Sequence, residues 1–278
     1  MNILEFTILI WLGSLGTGIL GSLTGLGGGV VIVPLLTLLL GVDIRYAIGA
    51  SLVSVIATSS GAAAAFVKEG FSNIRIGMFL EVATTLGALV GAVLASMVSN
   101  SSIAIVFGIV LIYSAYLSGR GQRDSRGDVP PDPLAQRLRM DDSYPTAKGS
   151  KAYRVRAIPG GFSVMFAAGA LSGLLGIGSG AVKVIGMDQI MRIPFKVSTA
   201  TSNFMIGVTA AASAGVYLNR GYIDPGLAMP VMLGVLIGSL LGARMLPGAK
   251  TRVLRLIFAA VILALGVEMI YKGLTGRL

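Results

Sequence analysis

Two glycine-rich segments and three charged residues are the parts of this chain whose chemistry stands out from apolar surroundings. One segment reads GLGGGVVIVPLL from Gly25 to Leu36, and the other reads GIGSGAVKVIGM from Gly176 to Met187. Lys183 lies inside the second segment, Asp188 follows it, and Glu81 interrupts another apolar run. Because glycine allows backbone conformations and close approaches that side chains forbid, the two segments predict breaks between helices.

Each predicted break is followed at once by a helix start, and that arrangement favours an anion. The free N–H groups and the positive end of the helix dipole point toward whatever lies in front of the first turn. Lys183 would add a positive charge, because charged residues inside apolar spans are costly and are usually functional or paired. Hydroxyl and amide groups at the start of the next helix complete the predicted binding set, which is Gly27, Gly28, Gly29, Ser51, Gly178, Ser179, Gly180, Lys183, Thr201, Ser202 and Asn203.

Structural explanations for the same residues stay open. Small residues let helices approach closely in membranes, which explains Gly87 and Gly91 and is an alternative reading of the breaks. The serine, threonine and asparagine side chains of the set could equally form hydrogen bonds between helices. Lys183 could pair with Asp188, although a spacing of five residues does not share a helix face well.

The composition excludes a water-soluble globule. Hydrophobic residues make up 54% of the chain and charged residues 12%, whereas soluble domains carry about 25% charged residues. Several apolar runs approach the roughly 20 residues that span a bilayer, which predicts an all-α, polytopic membrane protein. The run from Met1 to Leu23 is interpreted as a retained helix, since it has no basic start and no signal cleavage site.

The distribution of charge argues against a nucleic-acid partner despite the net charge of +10. Nine of the 22 basic residues lie in one hydrophilic stretch, residues 119–156, as expected for a cytoplasmic loop. This stretch is rich in Pro, Gly, Asp and Arg and is expected to be a flexible connector. The chain has no Cys and no His, which excludes disulfides and His-ligated metal, and no metal or cofactor is predicted.

An internal repeat runs through the chain in one register. Adding 151 to a position in the first half gives its counterpart in the second half without gaps over about a hundred residues. The matching pairs include Gly18 and Gly169, Gly29 and Gly180, Ser51 and Ser202, Thr58 and Thr209, Gly70 and Gly221, and Phe107 and Phe258. A constant register over this distance predicts two structurally similar halves.

Each half is predicted to contain five apolar segments, and the second of them is a short half-helix. Residues 1–118 form the first membrane repeat, residues 119–158 the basic cytoplasmic linker, and residues 159–278 the second membrane repeat. Since five is an odd number, the two repeats are expected to be inverted relative to each other, with both termini on the periplasmic side. Inverted repeats with broken or re-entrant half-helices are typical of secondary transporters.

These motifs together resemble the TauE/SafE family, also called the 4-toluene sulfonate uptake permease family. The similar features are GxGGGxxxxP at Gly25–Pro34, GxGxG at Gly176–Gly180, G-x-S at Gly49–Ser51 and the pair Thr201–Ser202. The chain departs from the family pattern at Ser179, where glycine is usual, and at Ile185, where proline is usual. The resemblance implies transport of small sulfur-containing anions, such as sulfite, sulfoacetate or other organosulfonates.

The sequence therefore predicts a secondary transporter of a small sulfur-containing oxyanion in a prokaryotic inner membrane, with its substrate between the two glycine breaks. Glu81 and Asp188 are the candidates for a carboxylate that couples transport to an ion. Glu81 could instead be an interfacial residue, and Asp188 a structural partner. A passive anion channel and a non-transporting scaffold that acts through the basic loop remain alternatives, no enzyme is indicated, and a homodimer is compatible with this layout.

Overall fold

Helices account for most of the described residues. One helix ends at Thr24 and the next begins at Gly29 on either side of the first glycine-rich segment, and the second segment separates helices that end at Leu175 and begin at Gly180. The computed structural model describes residues 2–24, 29–68, 70–119, 132–146, 149–245 and 251–276. Its helices are α1 Ile3–Thr24, α2 Gly29–Pro34, α3 Ile44–Lys68, α4 Ile74–Met97, α5 Asn100–Gly119, α6 Pro133–Arg137, α7 Ile158–Leu175, α8 Gly180–Ile185, α9 Phe195–Asn219, α10 Pro225–Met245 and α11 Thr251–Thr275. Strands β1, Asp142–Thr146, and β2, Gly149–Tyr153, form one antiparallel hairpin.

The short helix after each break continues into a π-helical turn. In the first half α2 is followed by Leu35–Leu39, and in the second half α8 is followed by Gly186–Ile190. Each combined segment has eleven residues, or about 16 Å at 1.5 Å per residue, roughly half of a bilayer core. Pro34 ends α2, but Ile185 ends α8, so the π turn forms at the same register with and without a proline.

Helix α4 shows how a membrane helix of this chain sorts its side chains. Its buried face carries small or polar residues such as Gly77, Thr84 and Gly87, while large apolar residues such as Met78 and Leu86 are exposed. In lipid, small residues favour close helix contacts and large apolar residues face outward. The small residues of α4 therefore allow close contact with the backbones of neighbouring helices, and its large apolar residues form an outer surface suited to lipid.

The two halves are interlocked through their long glycine-rich helices. Helix α4 of the first half packs on α7 and α9 of the second half, and α10 of the second half packs on α1 and α3 of the first half. The close helix contacts of one half are repeated in the other half at positions 151 residues apart. A Cβ at Gly18 would collide with the Val235 carbonyl, and a Cβ at Gly169 would collide with the carbonyl of Thr84, the counterpart of Val235. Helices α3 and α9, and likewise α5 and α11, pack against each other between the halves.

Helices α4 and α7 are, within the described residues, long and apolar enough to cross a bilayer by length and composition alone. Shorter apolar stretches accompany them at Leu4–Leu20, Gly29–Leu39, Ile44–Ser60, Asn100–Tyr116 and Pro225–Leu241.

The predicted flexible connector is wrong for the part of the linker that the structure describes. Residues 132–146 and 149–157 contain α6 and the hairpin, and they contact Asn73 at the start of α4 and Met191 at the end of the π turn after α8. Asn73 donates its side-chain amide to the Met140 carbonyl at 3.2 Å and to the Tyr153 hydroxyl at 2.8 Å. Burial raises the pKa of Tyr153, so this hydroxyl stays protonated.

The reason for this order is that the linker carries buried apolar residues that the composition hides. Ala135, Met140 and Val155 join a core cluster with Met187 and Met191. The Arg156 N–H also donates to the Met191 carbonyl at 3.2 Å. The fold is thus mostly helical, and the small hairpin is the exception to the all-α prediction.

Candidate functional site

Gly29, which begins α2, and Gly176, in the second glycine break, meet at the buried side chain of Ser51. The Ser51 hydroxyl lies 2.8 Å from the Gly176 carbonyl oxygen and 3.2 Å from the Gly29 carbonyl oxygen, so it bridges the two halves. Its counterpart Ser202 donates to the Gly180 carbonyl at 3.3 Å. A Cβ at Gly29 would lie 2.5 Å from a methyl group of Val55, which leaves no room for a side chain there. In this conformation the hydroxyls of Ser51 and Ser202 therefore donate to backbone carbonyls in or next to the glycine-rich segments.

The second break consists of left-handed backbone. Gly176 has φ of 68°, Gly178 has φ of 70°, and Ser179 has φ of 47°. For a residue with a side chain this region is uncommon and marks a functional or strained position. In the first break, Gly27 and Gly28 lie outside the described residues.

Ser179 is the buried polar group of the break that lacks a partner. Its side chain is 3% exposed, and its hydroxyl has no hydrogen-bond partner among the described residues. Buried hydroxyls are nearly always hydrogen-bonded, so this unpaired hydroxyl at a left-handed position is a candidate for contact with a ligand.

A small cavity lies between the break of the second half and the first turn of α2. Its volume is about 10 Å³, room for roughly one water molecule, and it is lined by Val30, Val110, Ser114, Ile177, Ser179, Gly180 and Val182. The first helical hydrogen bond of α8 joins the Lys183 N–H to the Ser179 carbonyl. The backbone N–H groups of residues 180–182 precede it and have no acceptor within the helix. Gly180 and Val182, whose backbone N–H groups have no acceptor within α8, thus line the cavity.

Lys183 is completely buried, and its ammonium group does not line this cavity. It donates to the Thr209 hydroxyl at 2.5 Å, and that hydroxyl donates to Oε1 of Glu81 at 2.7 Å. Glu81 is 7% exposed. The three side chains, here called the Lys183–Thr209–Glu81 relay, come from α8, α9 and α4. The partner of the Lys183 ammonium is therefore Thr209, rather than Asp188 as the alternative interpretation of the sequence held.

The carboxylate end of the relay is only partly hydrogen-bonded. Oε1 of Glu81 also accepts from the Thr85 hydroxyl at 3.1 Å, and the Thr84 hydroxyl lies 3.4 Å from that of Thr209. Oε2 of Glu81 is buried and has no hydrogen-bond partner among the described residues. Glu81 is thus a core residue and not the interfacial residue that the sequence left open.

The remaining predicted residues are distributed over other contacts. The Thr201 hydroxyl is buried and accepts from the Asn73 N–H at 3.1 Å, so it faces the start of α4. Asn203 is half-buried and donates to the Thr199 carbonyl of its own helix at 3.0 Å. Asp188 is half-buried in the π turn after α8. Their roles in binding or coupling stay predictions.

Thr209 and Asn73 are the two residues whose importance the sequence analysis missed. In the repeat, Thr209 is the counterpart of Thr58. That match does not show that Thr209 lies between two charged side chains. A signal for the relay was present in the spacing of Glu81, Thr84 and Thr85, because residues three and four apart share one helix face. Asn73 precedes α4 and caps it by accepting from the Ile76 N–H at 3.0 Å, as an N-cap residue does.

Comparison with known proteins gives consistent matches over nearly the whole chain. Probable membrane transporter protein YunE of Bacillus subtilis is 29% identical over 98% of this chain and 99% of its own length. Probable membrane transporter protein YdhB of the same organism is 27% identical over 82% of this chain and 85% of its own length. A probable membrane transporter protein of Xylella fastidiosa is 24% identical over 98% of both chains. No solved structure matches the chain significantly.

The family model described as sulfite exporter TauE/SafE matches residues 10–269. That range includes both glycine breaks, the relay and the folded part of the linker. The relatives are described as probable membrane transporters, which agrees with the composition, the exposed apolar surface of α4 and the helical fold. This chain is therefore a multi-pass membrane protein that belongs to the sulfite exporter TauE/SafE family.

Proposed function

We propose that this protein is a secondary transporter that binds a small sulfur-containing oxyanion between its two glycine breaks, near the middle of the membrane. Sulfite and organosulfonates such as sulfoacetate are the substrate class. The substrate class follows from the family description, and the position of the site follows from the breaks.

The single observation that carries the proposal is the Ser179 hydroxyl. It is buried without a partner among the described residues, in the wall of a cavity between the second break and the first turn of α2. An anion at this point would accept from Ser179 and from the unused N–H groups at the start of α8. The helix dipole points its positive end to the same place. Lys183, the residue after Val182, adds a positive charge near this end of α8 without lining the cavity.

A sulfur oxyanion is larger than the cavity, so binding requires the walls to separate. The packing suggests the moving units. One unit comprises α1, α2, α3 and α10, and the other comprises α7, α8, α9 and α4, because each helix set packs mainly within itself. Each unit thus contains three helices of one half and the long glycine-rich helix of the other. Motion between the units along the contact of α3 with α9 would open the cavity to alternate sides.

The orientation proposed here follows the basic residues. The linker, with Arg137, Arg139, Lys151 and Arg154 exposed, would face the cytoplasm of a bacterial or archaeal cell. The two repeats would then be inverted relative to each other, and both termini would lie on the opposite side of the inner membrane. Glu81 is better placed than Asp188 to couple an ion, because it is joined to α8 through the relay.

Binding by purified protein tests the site. We expect sulfite or sulfoacetate to bind in preference to taurine and sulfate, measured by calorimetry in detergent. Ser179→Gly removes the hydroxyl without backbone strain, since glycine adopts positive φ freely. It should weaken binding about five- to tenfold, the effect of losing one hydrogen bond.

Ser172→Ala is the matched control, because Ser172 on α7 is also a buried serine without a hydrogen-bond partner but does not line the cavity. It should bind as wild type. If Ser179→Gly bound the anion with the same affinity as wild type, Ser179 would not be part of the binding site. Stimulation of labelled sulfoacetate uptake by preloaded sulfoacetate would separate a transporter from a channel, which shows no counterflow.

A further inference from the structure

The Lys183–Thr209–Glu81 relay is a buried charge pair with unused hydrogen-bonding capacity at both ends. An ammonium group has three donors, and Thr209 is its acceptor among the described residues. At the other end, Oε2 of Glu81 has no donor. Buried ionic groups are stable only when they are paired and hydrogen-bonded. A pair left incomplete in this way is able to change its proton content.

Thr209 connects the two groups in a geometry that carries a proton. Its hydroxyl oxygen accepts from the Lys183 ammonium at 2.5 Å, and its single hydrogen has two acceptors in reach, Oε1 of Glu81 at 2.7 Å and the Met205 carbonyl at 2.9 Å. A proton that moves from Nζ to the hydroxyl oxygen, while the hydroxyl proton moves to Oε1, converts the ionic pair into a neutral amine and a carboxylic acid. No atom is gained or lost in that exchange. Lys183 and Glu81 form no direct ion pair in the described part of the chain, so Thr209 is the link between them.

Among the described residues of the surrounding helices, the other titratable side chains lie away from the relay. The elements packed around it are α4, α7, α8 and α9. Their other titratable side chains among the described residues are Arg75 and Lys196 at exposed helix starts, Asp188 in the half-buried π turn, and Tyr217, which donates to the Gly173 carbonyl farther along α9. Glu81 and Lys183 are therefore the titratable groups that face each other in this part of the core.

The relay does not suit an alkali or divalent cation. Such ions take about six oxygen ligands, usually with more than one carboxylate for a divalent ion. Among the described residues, no group of three acidic or histidine side chains could hold a metal ion. The position that a cation would occupy beside Thr209 and Glu81 is taken by the Lys183 ammonium.

We propose that the coupling ion of this transporter is the proton, that Glu81 is its acceptor and that Lys183 is a built-in cation in place of sodium. A proton taken from water on the open side forms an O–H bond at Oε2, and the net charge of the relay changes from zero to +1. The relay touches α8, whose Gly180 and Val182 line the substrate cavity. The added positive charge favours the anion by electrostatic attraction, and because coupling between two sites is reciprocal, the bound anion favours the proton equally. The anion and the proton cross together. This inference rests on the proposed function.

Transport by the purified protein in liposomes tests the inference. The probe is labelled sulfoacetate, and the membrane potential is clamped at zero. Counterflow without a pH gradient is measured first, and its absence would reject the proposed transport function itself. With counterflow present, an acidic exterior should drive accumulation of about tenfold per pH unit for one proton, the free-energy equivalent of a tenfold concentration ratio. A sodium gradient at equal pH should drive none; accumulation driven by sodium, or none driven by protons, would overturn the inference.

Glu81→Gln separates coupling from binding, because glutamine keeps the hydrogen bonds of a protonated carboxyl and cannot release a proton. We expect counterflow to persist and proton-driven accumulation to disappear. Glu268→Gln is the matched control on α11, where an exposed carboxylate pairs with Lys272 at 3.8 Å, and it should retain both. Proton-driven accumulation that survives in Glu81→Gln and is lost in Asp188→Asn would assign the proton to Asp188 instead.

Discussion

Three positions after the start of the short helix, the first half of the chain has Ile32 and the second half has Lys183. The same register places Thr58 opposite Thr209 and Met232 opposite Glu81. In the first half the Thr58 hydroxyl donates back to the Ser54 carbonyl of its own helix at 3.0 Å. In the second half the equivalent hydroxyl connects two charged side chains.

This difference separates what the fold requires from what the function adds. The glycine contacts, the π turns and the hydroxyl–carbonyl contacts at Ser51 and Ser202 occur in both halves, so they belong to the common scaffold. The charged pair occurs once, between Glu81 of the first half and Lys183 of the second half, and the equivalent positions Met232 and Ile32 lie in the same kinds of helix without charge. A buried ion pair is weak support for stability, which is why we assign it to transport.

The largest effect is expected from removing one charge of the pair. Lys183→Met leaves the Glu81 carboxylate buried without a cation, which should lower the free energy of unfolding by about 3–5 kcal/mol. Thermal unfolding in detergent measures this loss. The matched control is Ile32→Met at the equivalent buried position of the first half, with an expected loss below about 1.5 kcal/mol because the volumes are similar.

The double variant Lys183→Ile with Glu81→Met gives each of the two positions the side chain of its counterpart in the repeat, Ile32 and Met232. Because both charges are removed together, it should recover most of the stability that Lys183→Met loses. If the loss of unfolding free energy in the double variant equalled the sum of the losses in the two single variants, Lys183 and Glu81 would not be one electrostatic unit.

The interlocking contacts should respond equally in the two halves. Gly18→Ala and Gly169→Ala each place a Cβ against a backbone carbonyl, of Val235 and of Thr84, and each should lower the free energy of unfolding by about 1–3 kcal/mol. Gly16→Ala is the control, because no atom lies within 4 Å of a Cβ built there, and helix propensity favours alanine. Clearly unequal losses at the first two positions would show that the scaffold is not shared as described.

A smaller asymmetry is expected at the helix caps. Asp224 accepts from the Leu227 N–H at 3.1 Å, as Asn73 does from Ile76 at the equivalent place. Asp224→Ala should lower the free energy of unfolding by about 1 kcal/mol, the usual effect of losing a cap. Asn73→Ala should lower it further and make the linker more sensitive to trypsin at Arg137 and Arg139, because Asn73 also holds Met140 and Tyr153. Equal trypsin sensitivity of the two variants would argue against this role of Asn73.

The helices and the breaks could be predicted because their signals are local. Helices α3, Ile44–Lys68, and α9, Phe195–Asn219, each form one of the apolar segments predicted for its repeat, at equivalent positions in the 151-residue register. Apolar length predicts the spans, and glycine runs predict the breaks. The linker was predicted poorly because its apolar residues, such as Met140 and Val155, are few and become buried only against distant helices.

The amino-acid sequence alone determined the membrane class, the repeat, the helix ends and the presence of charges that an apolar core does not tolerate singly, because each depends on residues adjacent in the chain. Which side chain partners Lys183 was decided only by tertiary structure. Glu81 lies 102 positions before Lys183 along the chain, and Thr209 lies 26 after it. They meet because α4 of the first half packs among the helices of the second half, and close backbone contact at glycine allows that packing.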